Sequence, residues 1–197
     1  MTRAGILVTA GLAAAALVAP TLRPMTPRVL WNASASTPIG LYLIRPGTAP
    51  AIGNIVAVTP PDALARFLAD GGYLADSVPL LKHVTALAGQ IVCRTDATVT
   101  VDGTPVASAL AHDRRGRALP VWQGCRQLGA DEIFLLNPEI RDSLDGRYFG
   151  PLPLSAVIGV AVPLWIERSD DAPKALPQRA EPPLPSPTTG ASHAADR

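Results

Sequence analysis

Two kinds of apolar run alternate with polar positions along this chain. One is unbroken: residues 5–22, G-I-L-V-T-A-G-L-A-A-A-A-L-V-A-P-T-L, carry no charge. The others are short, rich in β-branched residues and cut by Gly, Pro and Asp. They predict strands beginning at Leu41-Tyr42-Leu43 and at Ile52–Val58, Val78–Leu87, Gln90–Arg94, Glu132–Leu136 and Ala156–Ile166. T-V-T-V-D-G-T-P-V reads as a hairpin turning at Asp102-Gly103. Pro60-Pro61-Asp62 followed by A-L-A-R-F-L-A predicts a short helix, ended by Gly71-Gly72. Residues 111–120 are polar and predict a loop. About seven strands and one or two short helices make a mainly β, antiparallel fold.

The N-terminal run spans about 27 Å as a helix, just under a hydrocarbon core. We read it as one uncleaved transmembrane helix, with Arg23–Pro27 as a stiff spacer; residues 1–27 are then a membrane anchor. A cleaved secretory signal is the alternative, and a buried core helix a third reading. Both of the first two place the remainder outside the cytoplasm. Arg3 precedes the run and Arg23 and Arg28 follow it, so charge does not fix orientation. Trp31 fits a membrane interface or a core equally well. Residues 169–197 lack large apolar side chains and read as a disordered, Pro-rich tail. The folded domain is then residues 28–168.

Composition narrows the function. With 21 prolines a helical bundle is disfavoured, and a net charge of +1 gives no basic field for nucleic acid. Neither the two cysteines nor the three histidines have metal-ligand spacing, and no cofactor motif is present.

The stretch W-N-A-S-A-S-T-P-I-G-L-Y presents two hydroxyls, Ser34 and Ser36, on a turn fixed by Pro38 and Gly40. By itself this is ordinary turn composition. Lys82 alters that reading. It lies among Leu80, Leu81, Val84 and Leu87, where a lysine points to an edge, pairs with a carboxylate, or is kept neutral as a base. Lowering its pKa from about 10.4 to about 7 takes roughly 4.6 kcal/mol, within reach of deep burial. His83 faces the opposite side of the strand and suits a surface or edge role. The block N-P-E-I-R-D-S-L-D-G-R-Y-F-G, residues 137–150, reads as a surface loop with Asp142 or Asp145 paired to Arg147. Its sharper reading is a support in which Ser143 holds the Lys82 amine and Asp145 with Arg147 fixes the loop.

Taken in order, Ser36, Lys82 and D-S-L-D-G-R-Y-F-G resemble the serine–lysine signal peptidases. The N-x-S-x-S-x-P-x-G-L-Y opening and the two cysteines resemble the TraF branch, the conjugative-transfer peptidases. The similarity covers roughly residues 28–166. It implies a signal-peptidase-like β fold, a bacterial inner-membrane anchor with the catalytic domain periplasmic, and cleavage of exported precursors at small residues. In this branch it implies maturation of a conjugative pilin, with other conjugation proteins as further partners. It assigns Ser36 as nucleophile, Lys82 as general base, and the Ser34 hydroxyl with the Ser36 N–H as oxyanion hole. It further assigns Ser143 to orient the lysine and Asp145 as the acidic residue the branch needs. It also implies a Cys93–Cys125 disulfide; two separate thiols are the plain alternative. The chain departs from the pattern at His83, Ala88, Gln90 and Gly146, where the family commonly has Arg, Pro, Asp and Ser. A general type I signal peptidase and a non-enzymatic periplasmic scaffold are the competing functions.

Overall fold

The computed structural model describes residues 3–18, 28–75 and 77–167. The spacer and the Pro-rich tail of the sequence reading lie outside these. Helix α1 covers Arg3–Val18 and exposes Val8 and Leu12. At 16 residues its described part is about 24 Å long. Among the described residues no helix is long and apolar enough to cross a membrane.

Among the described residues eleven strands follow rather than about seven. They are β1 Val29–Asn32, β2 Gly40–Arg45, β3 Ile55–Val58, β4 Leu80–Ala86, β5 Ile91–Thr95, β6 Thr98–Val101, β7 Thr104–Ser108, β8 Gly124–Gln127, β9 Glu132–Leu136, β10 Leu152–Pro153 and β11 Val157–Ile166. Three escape the apolar pattern for separate reasons. β1 is four residues with only Asn32 buried, β8 is exposed throughout, and β10 is two residues long. The expected helix is α2, Asp62–Asp70, and a single turn, α3, covers Gly146–Phe149.

Seven strands pair in the order β1-β2-β11-β3-β4-β9-β10 and four in the order β7-β6-β5-β8, all antiparallel. The hairpin between β6 and β7 turns at Asp102 and Gly103, with φ of 48° and 79°, the backbone of a two-residue primed turn. Gly40 opens β2 because β11 passes over it. A Cβ there would lie 2.2 Å from the Trp165 carbonyl oxygen.

Packing follows the two sheets. Val56, Val58, Val84, Ile133 and Leu135 form one cluster of the large sheet. Val92, Val99 and Val101 of the small sheet close on Ala86, Phe134 and Leu136. β9 thus faces both layers, which is why it is apolar throughout after Glu132. Cys93 and Cys125 stand opposite each other on β5 and β8 and are disulfide-bonded. Closing a separation of 32 residues contributes about 3–4 kcal/mol in the chain-entropy account.

Candidate active site

Lys82 sits in the middle of β4, opposite Val56 of β3, and is 3% exposed. Its Nζ donates to Ser143 Oγ at 2.8 Å and to Ser36 Oγ at 3.5 Å. Among the described residues it makes no ion pair. Burial is the largest influence on its pKa and lowers it from 10.5 to about 8; the Asp145 carboxylate opposes this and the Arg147 cation adds to it.

Ser36 reaches this amine from the turn between β1 and β2. Asn32, the last residue of β1, builds that turn. Its amide nitrogen donates to the carbonyls of Ser34 and Thr37 at 2.9 Å and of Pro38 at 3.1 Å. Its Oδ1 accepts from Ser34 N at 3.1 Å and Ser34 Oγ at 2.9 Å. Ser34 Oγ is also 3.1 Å from Ser36 Oγ. With the Ser34 proton on Asn32, Ser36 is the donor between the two hydroxyls. Tyr42 Oη closes the turn on the Pro38 carbonyl at 2.6 Å.

Ser143 comes from the 137–150 block, which is not the surface loop that its polarity predicts. Asn137, Ser143, Asp145 and Arg147 are all buried. Arg147 grips Asp145 with its Nε at 2.8 Å and Nη2 at 3.0 Å, and donates to the Asn137 and Arg141 carbonyls. Asp145 also accepts from Asn137 N at 2.9 Å and caps α3 through Arg147 N. Asp142, the other candidate partner of Arg147, pairs instead with Arg114 at 2.6 Å on the surface. Gly146, where the family commonly has Ser, is confined by packing: a Cβ would lie 2.7 Å from the Leu135 carbonyl oxygen and from Phe134.

Two residues without an expected role join these segments. The Asn137 amide nitrogen donates to Thr37 Oγ1 at 3.2 Å and to the Leu81 carbonyl at 3.3 Å. Thr37 Oγ1 itself donates to that carbonyl at 3.0 Å. Asn137 Oδ1 accepts from the backbone N of His83 at 3.3 Å and faces the imidazole Nδ1 at 3.0 Å. His83 is half-buried on a central strand, not at an edge, because β9 pairs beside it. Asn32 stood in the quoted motif without an assigned role, although asparagine is a residue type that forms such turns. Asn137 gave no sequence signal beyond preceding Pro138.

The serines and Lys82 line one end of a cleft of about 680 Å³. Its walls include Leu68, Leu80, Leu110, Leu119 and Leu144. At another wall Tyr73 Oη donates to Asp113 at 2.6 Å, while Arg117 pairs with Asp113, bonds the Gly71 carbonyl and lies 4.3 Å over the Tyr73 ring. The arrangement joins a hydroxyl, a buried amine and a cleft walled by both leucines and charged side chains, the parts needed for acyl transfer on a peptide.

The chain belongs to the signal peptidase family, peptidase S26, which matches residues 2–166. That makes it a serine-peptidase-type hydrolase. Within the family it is of the TraF type. A probable conjugal transfer protein TraF of Sinorhizobium fredii (strain NBRC 101917 / NGR234) is 37% identical over 140 residues, 66% of this chain and 73% of its own. A plasmid transfer protein TraF of Escherichia coli is 35% identical over 143 residues, 68% and 80% of the two chains. A conjugal transfer protein TraF of Agrobacterium fabrum (strain C58 / ATCC 33970) is 34% identical over 144 residues, with the same shares. A signal peptidase I structure from Enterococcus faecalis V583 aligns with 57% of this chain and 97% of its own, at 16% identity and a TM-score of 0.35.

Proposed function

We propose that this protein is a membrane-anchored serine endopeptidase that uses a Ser36–Lys82 dyad to process exported precursors, with a conjugative pilin subunit as its substrate. The observation that carries the dyad is the buried, unpaired Lys82 amine between the hydroxyls of Ser36 and Ser143.

Neutral Lys82 takes the Ser36 proton as Oγ attacks the scissile carbonyl. Ser143, fixed on one amine hydrogen, turns the lone pair toward Ser36. The 3.5 Å resting distance shortens as bound substrate draws the Ser36 proton away from Ser34. The Ser34 hydroxyl then swings from Asn32 to the oxyanion, beside the Ser36 N–H; each such donor is worth about 3 kcal/mol. The ammonium of Lys82 returns its proton to the leaving amine as the C–N bond breaks. Water hydrolyses the acyl-enzyme by the same relay in reverse. Asp145 works through Arg147 and Asn137 to hold the loop that carries Ser143.

The anchor and a periplasmic site are parts of the same proposal. They draw support from the uncharged N-terminal run and from an exposed apolar edge. There Trp31 stacks on Trp165 at 5.7 Å, flanked by exposed Leu164 and Ile166. An indole pair suits the membrane–water interface. The transfer-protein names of the relatives support the conjugative setting.

The test is mass analysis of candidate pilin from cells carrying wild-type protein, Ser36→Ala or Lys82→Ala, with membrane fractionation of each. Precursor should accumulate in both variants, and the protein should sediment with inner membrane. Mature pilin in either variant would return the chain to a scaffold role.

A further inference from the structure

Arg94 is a buried cation that the proposed chemistry does not use. It lies on β5 beside the disulfide-bonded Cys93 and is 4% exposed. Among the described residues it forms no ion pair with a carboxylate. Its hydrogen bonds go to three carbonyl oxygens, those of Arg147 at 2.6 Å, Asp96 at 3.1 Å and Pro120 at 3.3 Å, and its guanidinium lies 5.9 Å over the Tyr148 ring. Burying a guanidinium against neutral dipoles is costly, and an apolar side chain would fill the same space more cheaply.

What it holds explains the position. α3 is one helical turn, and most of its carbonyls have no partner within it. Arg94 donates to the Arg147 carbonyl, and Trp122 Nε1 adds a donor at 3.0 Å to the Gly146 carbonyl, which also accepts from Gly150 N at 2.9 Å. Asp145, which caps the start of the turn, binds Asn137 N, and Ser143, two residues earlier, binds Lys82. The turn is thus held both by the small sheet with its flank and by its own capping residue. Arg94 and Trp122 approach from β5 and from the segment just before β8, the two strands that the disulfide ties.

We propose that Arg94 is a positioning residue for Lys82: through the Arg147 carbonyl it fixes α3, and with it the loop by which Ser143 aims the Lys82 amine. Trp122 shares the task. The proposal rests on Lys82 as the base, and its test separates the two ideas. A loosened α3 lets Ser143 drift and admits water to Lys82. Misplacement of about 1 Å costs up to about 100-fold in rate, and hydration returns the amine toward ordinary lysine behaviour.

The experiment uses the full-length protein in detergent with a quenched fluorogenic peptide spanning the cleavage region of the candidate pilin precursor. Arg94→Met, Arg94→Lys, Trp122→Phe and Lys82→Ala are compared with wild type below their melting temperatures. Arg94→Met should lower kcat about 10- to 100-fold with KM within about threefold. Its acid limb should move to higher pH by about one unit. Arg94→Lys should recover part of both, and Trp122→Phe should shift both in the same direction by about three- to tenfold in kcat. Folded Arg94→Met with wild-type kcat and acid limb overturns the positioning role. If that variant does not fold, wild-type kinetics in Trp122→Phe overturn it instead. An inactive Lys82→Ala beside such results leaves the dyad standing, whereas an active Lys82→Ala removes the dyad and this role together.

Discussion

The turn 32–38 and the loop 137–150 each bring a serine to Lys82, one from a local motif and the other from a buried network. In the turn, Asn32 makes five hydrogen-bond contacts to residues within six positions of itself. Ser34 is exposed and Ser36 half-buried, and both line the cleft. In the loop, Ser143, Asp145 and Arg147 are buried, and their setting depends on Asn137, Arg94 and Trp122 from other segments. The difference suits the proposed tasks. A nucleophile must meet a substrate, whereas a base must be kept from water to stay partly neutral.

The largest expected effect is on the buried side. Asp145→Ala leaves the Arg147 guanidinium buried without its carboxylate and should cost about 3–5 kcal/mol, read from denaturant unfolding. An unfolding midpoint near wild type would mean that Arg147 finds enough carbonyl partners alone.

Lys82→Met should act in the reverse direction, raising stability while abolishing cleavage. The pKa of Lys82, about 8 when folded against 10.5 unfolded, means the unfolded chain binds more protons between those values. The charged lysine therefore weakens the fold by about 3 kcal/mol below about pH 8, and that penalty fades as the pH rises toward 10.5. Unfolding of wild type and Lys82→Met across pH 7 to 10.5 should converge at the alkaline end. For the same reason kcat/KM of wild type should climb with pH through about 8.

On the local side, Asn32→Ala should cost about 1–3 kcal/mol, since it strips one side chain from several backbone groups. It should also depress kcat, because Ser34 and Ser36 lose their turn. Asn32→Asp, which keeps the acceptor for Ser34, should retain more activity than Asn32→Ala. The smallest effect belongs to the Arg114–Asp142 pair, where Arg114 is 85% exposed. Arg114→Ala should change stability by less than about 1 kcal/mol, and by less still in high salt. A larger change would mean that this surface contact helps hold the Ser143 loop.

Much of this was legible residue by residue. Alternation and turn residues located the main strands and the Asp102-Gly103 hairpin, because a period of two and a primed turn are local properties. Lys82 stood out as a charge in an apolar strand. β8 was not legible, since all four of its residues are exposed and it pairs without an apolar face. The loop 137–150 misled for the opposite reason: its polar residues satisfy one another and so can be buried.

By itself the sequence determined the mainly β class and the candidate hydroxyls and lysine, which follow from side-chain type and periodicity, and carried the motifs that resemble the family. The tertiary structure decided which groups meet. It set Ser143 rather than a carboxylate on the Lys82 amine, joined Asn137 to Thr37 across a hundred residues of chain, and aimed Arg94 at the Arg147 carbonyl of α3. Such contacts depend on how β4, β9 and the small sheet stack, and burial, which governs the charge of Lys82, exists only once they have done so.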